Sequence, residues 1–150
     1  MLMLFAMSDP QTELELHLGK VVRNGQVFEM TVGNVLTRSL KVAPEVGSSV
    51  GGMFGVAKAL QLIDLLAGAP EYPLNPQDVK KWVKQARKAN EMRNAAIHDP
   101  WAAVAETGEF TRTLFHGWRG RVASLSELDE VAKSLEDAVV AGQALLNAET

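Results

Sequence analysis

The sequence predicts an all-α fold, an antiparallel four-helix bundle with a small β-hairpin between the third and fourth helices. Three observations carry this prediction. Three stretches repeat apolar residues at intervals of three and four, the spacing that lines one side of a helix, and a fourth, from about Gly51 to Ala67, is apolar and of helical length between turn signals. Proline, glycine, asparagine and serine fall where those stretches should begin and end. No proline- or serine-rich linker divides the 150 residues. One domain spanning 1–150 is therefore expected, and packing four stripes against one another is the simplest way to bury them all.

The first helix is expected from about Gln11 to Ser39, where Leu14, Leu18, Val21, Gly25, Phe28, Val32 and Val35 form a seam. Gly25 on that seam weakens the helix by about 1 kcal/mol relative to alanine, which points to close approach of a neighbour more than to a bend. The segment Ala43 to Val50, APEVGSSV, reads as a turn. A second helix follows from about Gly51 to Ala67, with Phe54, Ala57, Leu60 and Leu65 among its apolar positions and Gly51, Gly52 and Gly55 expected to permit close packing at its start. Gly68, Pro70 and Pro73 end it, and Asn75-Pro76 supplies an N-cap with proline at the first helical position of the third helix. In Trp101 to Val122, Glu106-Thr-Gly-Glu109 reads as a turn between extended arms Ala102 to Ala105 and Phe110 to Phe115. The fourth helix opens at Ser124 or Ser126; Ser124 and Glu127 have capping-box spacing, and Leu128, Val131, Leu135 and Ala138 continue the stripe.

Composition narrows the function classes. With 47% apolar and 22% charged residues, the chain reads as an ordinary soluble domain that buries about two-thirds of its unfolded surface. A formal net charge of −3 gives no strong whole-molecule attraction for nucleic acid, so such binding must rest on local patches. The absence of cysteine removes disulfide scaffolds, thiolate zinc sites and thiol nucleophiles, and fits the reducing cytoplasm expected as its location. The apolar start MLMLFAM is too short to span a membrane and lacks a basic n-region; a flexible tail over 1–10 and no membrane association are expected.

The third helix carries the residues that do not fit a bland bundle. Continuing its seam from Val79 gives Val83, Ala86, Asn90, Arg93 and Ile97, so the buried side turns polar near its end. Asn90, Asn94 and His98 follow one another at single turns, with Arg93 beside them. An unpaired buried charge costs several kcal/mol, so Arg93 must be paired, face a wet cleft, or meet an anionic ligand. Pairing with a carboxylate such as Asp64 or Glu29, purely to fix helix register, stays open beside a functional role. Pro100 should end the helix near His98, where the macrodipole and the neighbouring Asp99 favour imidazolium. A histidine that exchanges protons near neutral pH, next to a permanent cation, suits chemistry at a phosphate.

The run Arg93-Asn94-Ala95-Ala96-Ile97-His98 resembles the Arg-x4-His signature of the HEPN superfamily, all-α domains named for nucleotide binding in higher eukaryotes and prokaryotes. The resemblance covers those six residues and the four-helix layout. It implies dimerisation and, as in many members, metal-independent endoribonuclease activity in toxin, anti-phage or RNA-processing systems. By that resemblance Arg93 and His98 form the catalytic pair, with Asn94 as the supporting polar group. Other members act without catalysis, as partners of nucleotidyltransferases or as scaffolds. A non-catalytic binding or dimerisation module, with a nucleotide or a protein such as an antitoxin as its ligand, is therefore the second function class.

Basic charge lies beside the motif: Lys80, Lys81, Lys84, Arg87, Lys88 and Arg93 stand against Asp78, Glu91 and Asp99. Lys84, Arg87 and Asn90 are candidate RNA- or nucleotide-binding residues, although a solvated helix face explains most such lysines. Arg119 and Arg121 join Arg112, His116 and Trp118 in a second basic and aromatic cluster suited to stacking a base or to closing the core. No metal site or cofactor is expected, because His17, His98 and His116 match no zinc spacing and the glycine-rich pieces lack a phosphate-loop Lys-Ser/Thr. One histidine per motif leaves a metal-free reaction short of a second proton-transfer group, so a homodimer sharing a composite site is expected.

Overall fold

The computed structural model describes residues 9–104, 107–114 and 119–148, at positions 114, 119 and 120 as backbone alone. Four helices dominate: α1 (Pro10–Leu40), α2 (Pro44–Leu66), α3 (Pro76–His98) and α4 (Leu125–Asn147). Between α3 and α4 lies an antiparallel sheet of β1 (Trp101–Ala103), β2 (Phe110–Leu114) and β3 (Arg119–Ala123), in the order β1-β2-β3. Trp101 pairs with Arg112 and Arg112 with Arg121. β1 overlaps the first expected arm at Ala102 and Ala103 and β2 the second from Phe110 to Leu114, whereas β3 falls in a stretch where no element is expected. Ala105, the end of the first expected arm, and Glu106, the start of the expected turn, lie outside the described residues, as do Phe115, His116 and Trp118.

Helix ends follow local chemistry. The Asn75 side chain accepts from the backbone N–H groups of Gln77 and Asp78, both at 3.1 Å, before Pro76 opens α3. The Ser124 backbone N–H donates to the Glu127 carboxylate at 3.1 Å at the start of α4. The expected turn APEVGSSV is largely helical, with Pro44 at a first-turn position and the Ser49 hydroxyl donating back to the Glu45 carbonyl at 3.0 Å. Of the expected tail 1–10, residues 1–8 lie outside the described residues, and Pro10 is already the first residue of α1.

The core gathers Phe28, Val32, Val35 and Leu36 from α1, Leu60 and Ile63 from α2, Val79, Val83 and Ala86 from α3, and Leu128, Leu135 and Ala138 from α4. Strict antiparallel alternation does not hold between α1 and α4. Partners along the two rise together in number: His17 meets Asp129 at 2.8 Å, the Asn24 amide donates to the Ala132 carbonyl at 3.0 Å, and Thr31 lies against Gly142. These helices are parallel. Trp82, whose indole N–H donates to the Ala138 carbonyl at 2.8 Å, shares the Gly142 contact, while Arg93 lies on Gly25, so α3 runs opposite to α1.

The cause lies in α2. Gly47 packs on Thr37, and Tyr72, six residues past Leu66, shares a 2.6 Å hydrogen bond with Ser39, so the chain enters and leaves α2 beside the C-terminal part of α1. Burial raises the Tyr72 hydroxyl pKa against the opposing effect of Ser39. The helix is broken at Gly55 (φ 71°, ψ 172°), and that break redirects its second half. Gly51, Gly52 and Gly55 have open space where a Cβ would stand, so they do not mediate the close packing expected of them. By length and composition α2 is apolar enough to cross a membrane, with 17% of its apolar window buried. The break divides it into 44–54 and 56–66, each short of the about 20 residues a span requires.

Candidate functional site

The last two turns of α3 hold the site. Asp99 is extended (φ −74°, ψ 128°), as a residue before proline favours, so the helix stops at His98 with Asn94 one turn behind it. The seam loses its cover there: Val79, Val83 and Ala86 are fully buried, whereas Ile97 and His98 are exposed. A cleft of about 260 Å³ opens between α1 and α3, lined by Val22, Gly25, Gln26, Glu29, Arg93, Asn94, Ile97 and His98. Arg93, Asn94 and His98 are thus brought together.

Arg93 crosses from α3 to α1. A Cβ at Gly25 would come within 2.9 Å of Arg93 Cδ, so the glycine is the close approach that the seam called for. Arg93 Nη1 donates to Glu29 Oε1 at 2.8 Å and Nη2 to Asn94 Oδ1 at 3.3 Å. The Arg93 side chain is 12% exposed and Glu29 53%. Of the two carboxylates weighed for Arg93, Glu29 is the partner; Asp64 takes Arg87 at 3.4 Å. Arg93 Nε and Asn90 Oδ1 are buried with no hydrogen-bond partner among the described residues.

Other candidates fall elsewhere. Lys84 is exposed and, like Arg87, does not line the cleft; Asn90 is buried and does not line it either. Arg121 pairs with Glu127 at the start of α4, and hydrogen bonding from Arg121 holds the Glu127 carboxyl below its ordinary range. At Arg119 only the backbone is described. Asp99, expected to favour imidazolium at His98, is instead buried and accepts from Arg112 Nε at 2.7 Å, while the Arg112 guanidinium stands 5.3 Å from the Trp101 ring centroid. His17 is held by Asp129. No group of three or more His, Asp or Glu residues suited to a metal occurs among the described residues.

Chemically, the cleft offers an imidazole, a guanidinium, an amide and a carboxylate on walls partly formed by Val22 and Ile97. Glu29 is the residue that sequence reasoning left as a structural partner only. Its signal was present but unspecific: it lies one turn beyond the seam glycine Gly25. No family model matches the chain, and neither does any curated protein or solved structure.

Proposed function

We propose that the protein is a HEPN-like, metal-independent endoribonuclease that acts at a dimer interface, in a toxin-antitoxin or anti-phage setting. One observation carries the reading: Arg93, Asn94 and His98, the residues of the Arg-x4-His run, line a single cleft open to solvent. An RNA 2′-hydroxyl attacks the adjacent phosphate there. His98 exchanges protons with the reacting oxygens, Arg93 stabilises the charge that builds on the phosphorus-bound oxygens, and Asn94 positions either substrate or His98. No step requires a metal.

A second reading has its own observation. Arg93 already has a carboxylate partner in Glu29, as a residue fixing the α1–α3 register would, which favours a helical module that binds a nucleotide, a nucleotidyltransferase or an antitoxin without turnover. The test is cleavage of single-stranded RNA in excess EDTA. The nuclease reading expects both Arg93→Ala and His98→Ala, verified as folded by circular dichroism, to slow cleavage about 100-fold or more. Unchanged rates in both folded variants favour the binding module.

A further inference from the structure

A metal-free transesterification needs one group to take the proton of the attacking hydroxyl and another to give a proton to the leaving oxygen. The Arg-x4-His run supplies one histidine. His17 is held by Asp129, and Asp99 is buried against Arg112. The cleft itself contains one carboxylate, Glu29, on the wall opposite His98. We propose that Glu29 is the general base of the site, a catalytic residue that completes the proton-transfer pair within a single chain. This rests on the ribonuclease reading above and adds to it a group outside the Arg-x4-His run.

The geometry divides the work of the carboxylate between its oxygens. Glu29 Oε1 accepts from Arg93 Nη1 at 2.8 Å, which fixes the side chain in the cleft and next to the guanidinium that receives the phosphate. Oε2 has no partner among the described residues, and the side chain is 53% exposed, so an incoming hydroxyl can reach it. Gly25, one turn earlier, leaves the space that lets Arg93 lie across α1 and meet Glu29. Glu29 also borders the hollow between α1 and α2, to which α2 contributes no charged side chain. The charged or titratable groups sharing its two cavities are therefore Arg93 and His98, both from α3.

In the step that follows, Oε2 takes the proton of the RNA 2′-hydroxyl as the O2′–P bond forms. His98, entering as imidazolium, gives its proton to O5′ as the P–O5′ bond breaks. The products are a 2′,3′-cyclic phosphate and a 5′-hydroxyl, and solvent returns the two proton-transfer groups to their starting states. No oxidant or further reactant enters.

The test compares the full-length protein with Glu29→Gln on a single-stranded RNA in EDTA across pH 4 to 9. Glutamine retains an acceptor for Arg93 but not a proton acceptor of carboxylate strength. The expected result is a fall in kcat of about 100-fold or more with KM little changed, and loss of the acid limb of the wild-type pH–rate profile. Glu29→Asp, which keeps the carboxylate, should recover part of kcat and the acid limb. A Glu29→Gln rate equal to or above wild type overturns the proposal and leaves Glu29 as a counter-ion that merely occupies Arg93. A raised KM with an unchanged acid limb overturns it as well. If wild type does not cleave, or folded Arg93→Ala and His98→Ala variants cleave normally, the ribonuclease reading itself fails and this proposal with it.

Discussion

Gly25 couples the stability of α1 to the position of Arg93. Alanine there raises helix propensity by about 1 kcal/mol, yet its Cβ falls within 2.9 Å of Arg93 Cδ, so the arginine has to move. Gly25→Ala, verified as folded, should lower RNA cleavage about tenfold, since small displacements of positioning groups carry large rate costs. Equal cleavage by the variant would mean that Arg93 is not needed where it lies. At this scale the sequence was informative wherever a residue was out of place for its pattern. Arg93 interrupted an apolar seam, and Gly25 interrupted a helix. Glu29 interrupted nothing, because an acidic residue on a helix flank is ordinary; only the crossing of α1 and α3 puts it against Arg93.

Elements were legible in proportion to their periodicity. On α1, α3 and α4 the stripe fixes the buried side, and Asn75-Pro76 and Ser124 with Glu127 mark the starts. On α2 apolar residues occur all round, so the sequence does not choose a face: Leu60 is buried, while Phe54 and Leu65 are exposed. The packing of α4 against α1 and α3 is tight enough to test directly. A Cβ on Gly142 would lie 2.6 Å from Thr31 Cγ2 and 3.1 Å from Trp82. Gly142→Ala should therefore cost about 1–3 kcal/mol by overpacking, read as a lower urea midpoint; an unchanged midpoint would show that the helices separate freely. The start of α4 carries a pH signature. Glu127 has a depressed folded-state pKa, caused first by its hydrogen bond from Arg121. Its contribution is thus present above the unfolded carboxylate value and lost as pH falls through the folded one. Arg121→Ala should move the Glu127 titration upward by NMR. It should also flatten the stability loss on acidification by less than about 1 kcal/mol, because the pair is close to solvent.

At the scale of the whole molecule, four helices in one bundle were legible, but the direction of α4 relative to α1 was not. It depends on the bend at Gly55, whose effect on the path of α2 follows from tertiary contacts at Gly47 and Tyr72. The Arg-x4-His resemblance also expects two chains to share a site, and Glu29 changes what that sharing has to supply. A tethered dimer with one intact motif and one carrying Arg93→Ala and His98→Ala separates the cases: about half the wild-type rate means each chain is self-sufficient, and far less than half means the partner completes the site. Glu29 as base favours the half-rate result. The most direct measurement of the central claim is the chemistry of the cut ends. Mass spectrometry of a single-stranded RNA incubated with the protein in excess EDTA should find 2′,3′-cyclic phosphate and 5′-hydroxyl termini, absent with the folded Arg93→Ala/His98→Ala variant. Ends bearing a 5′-phosphate, or the same cyclic products from that variant, would contradict it.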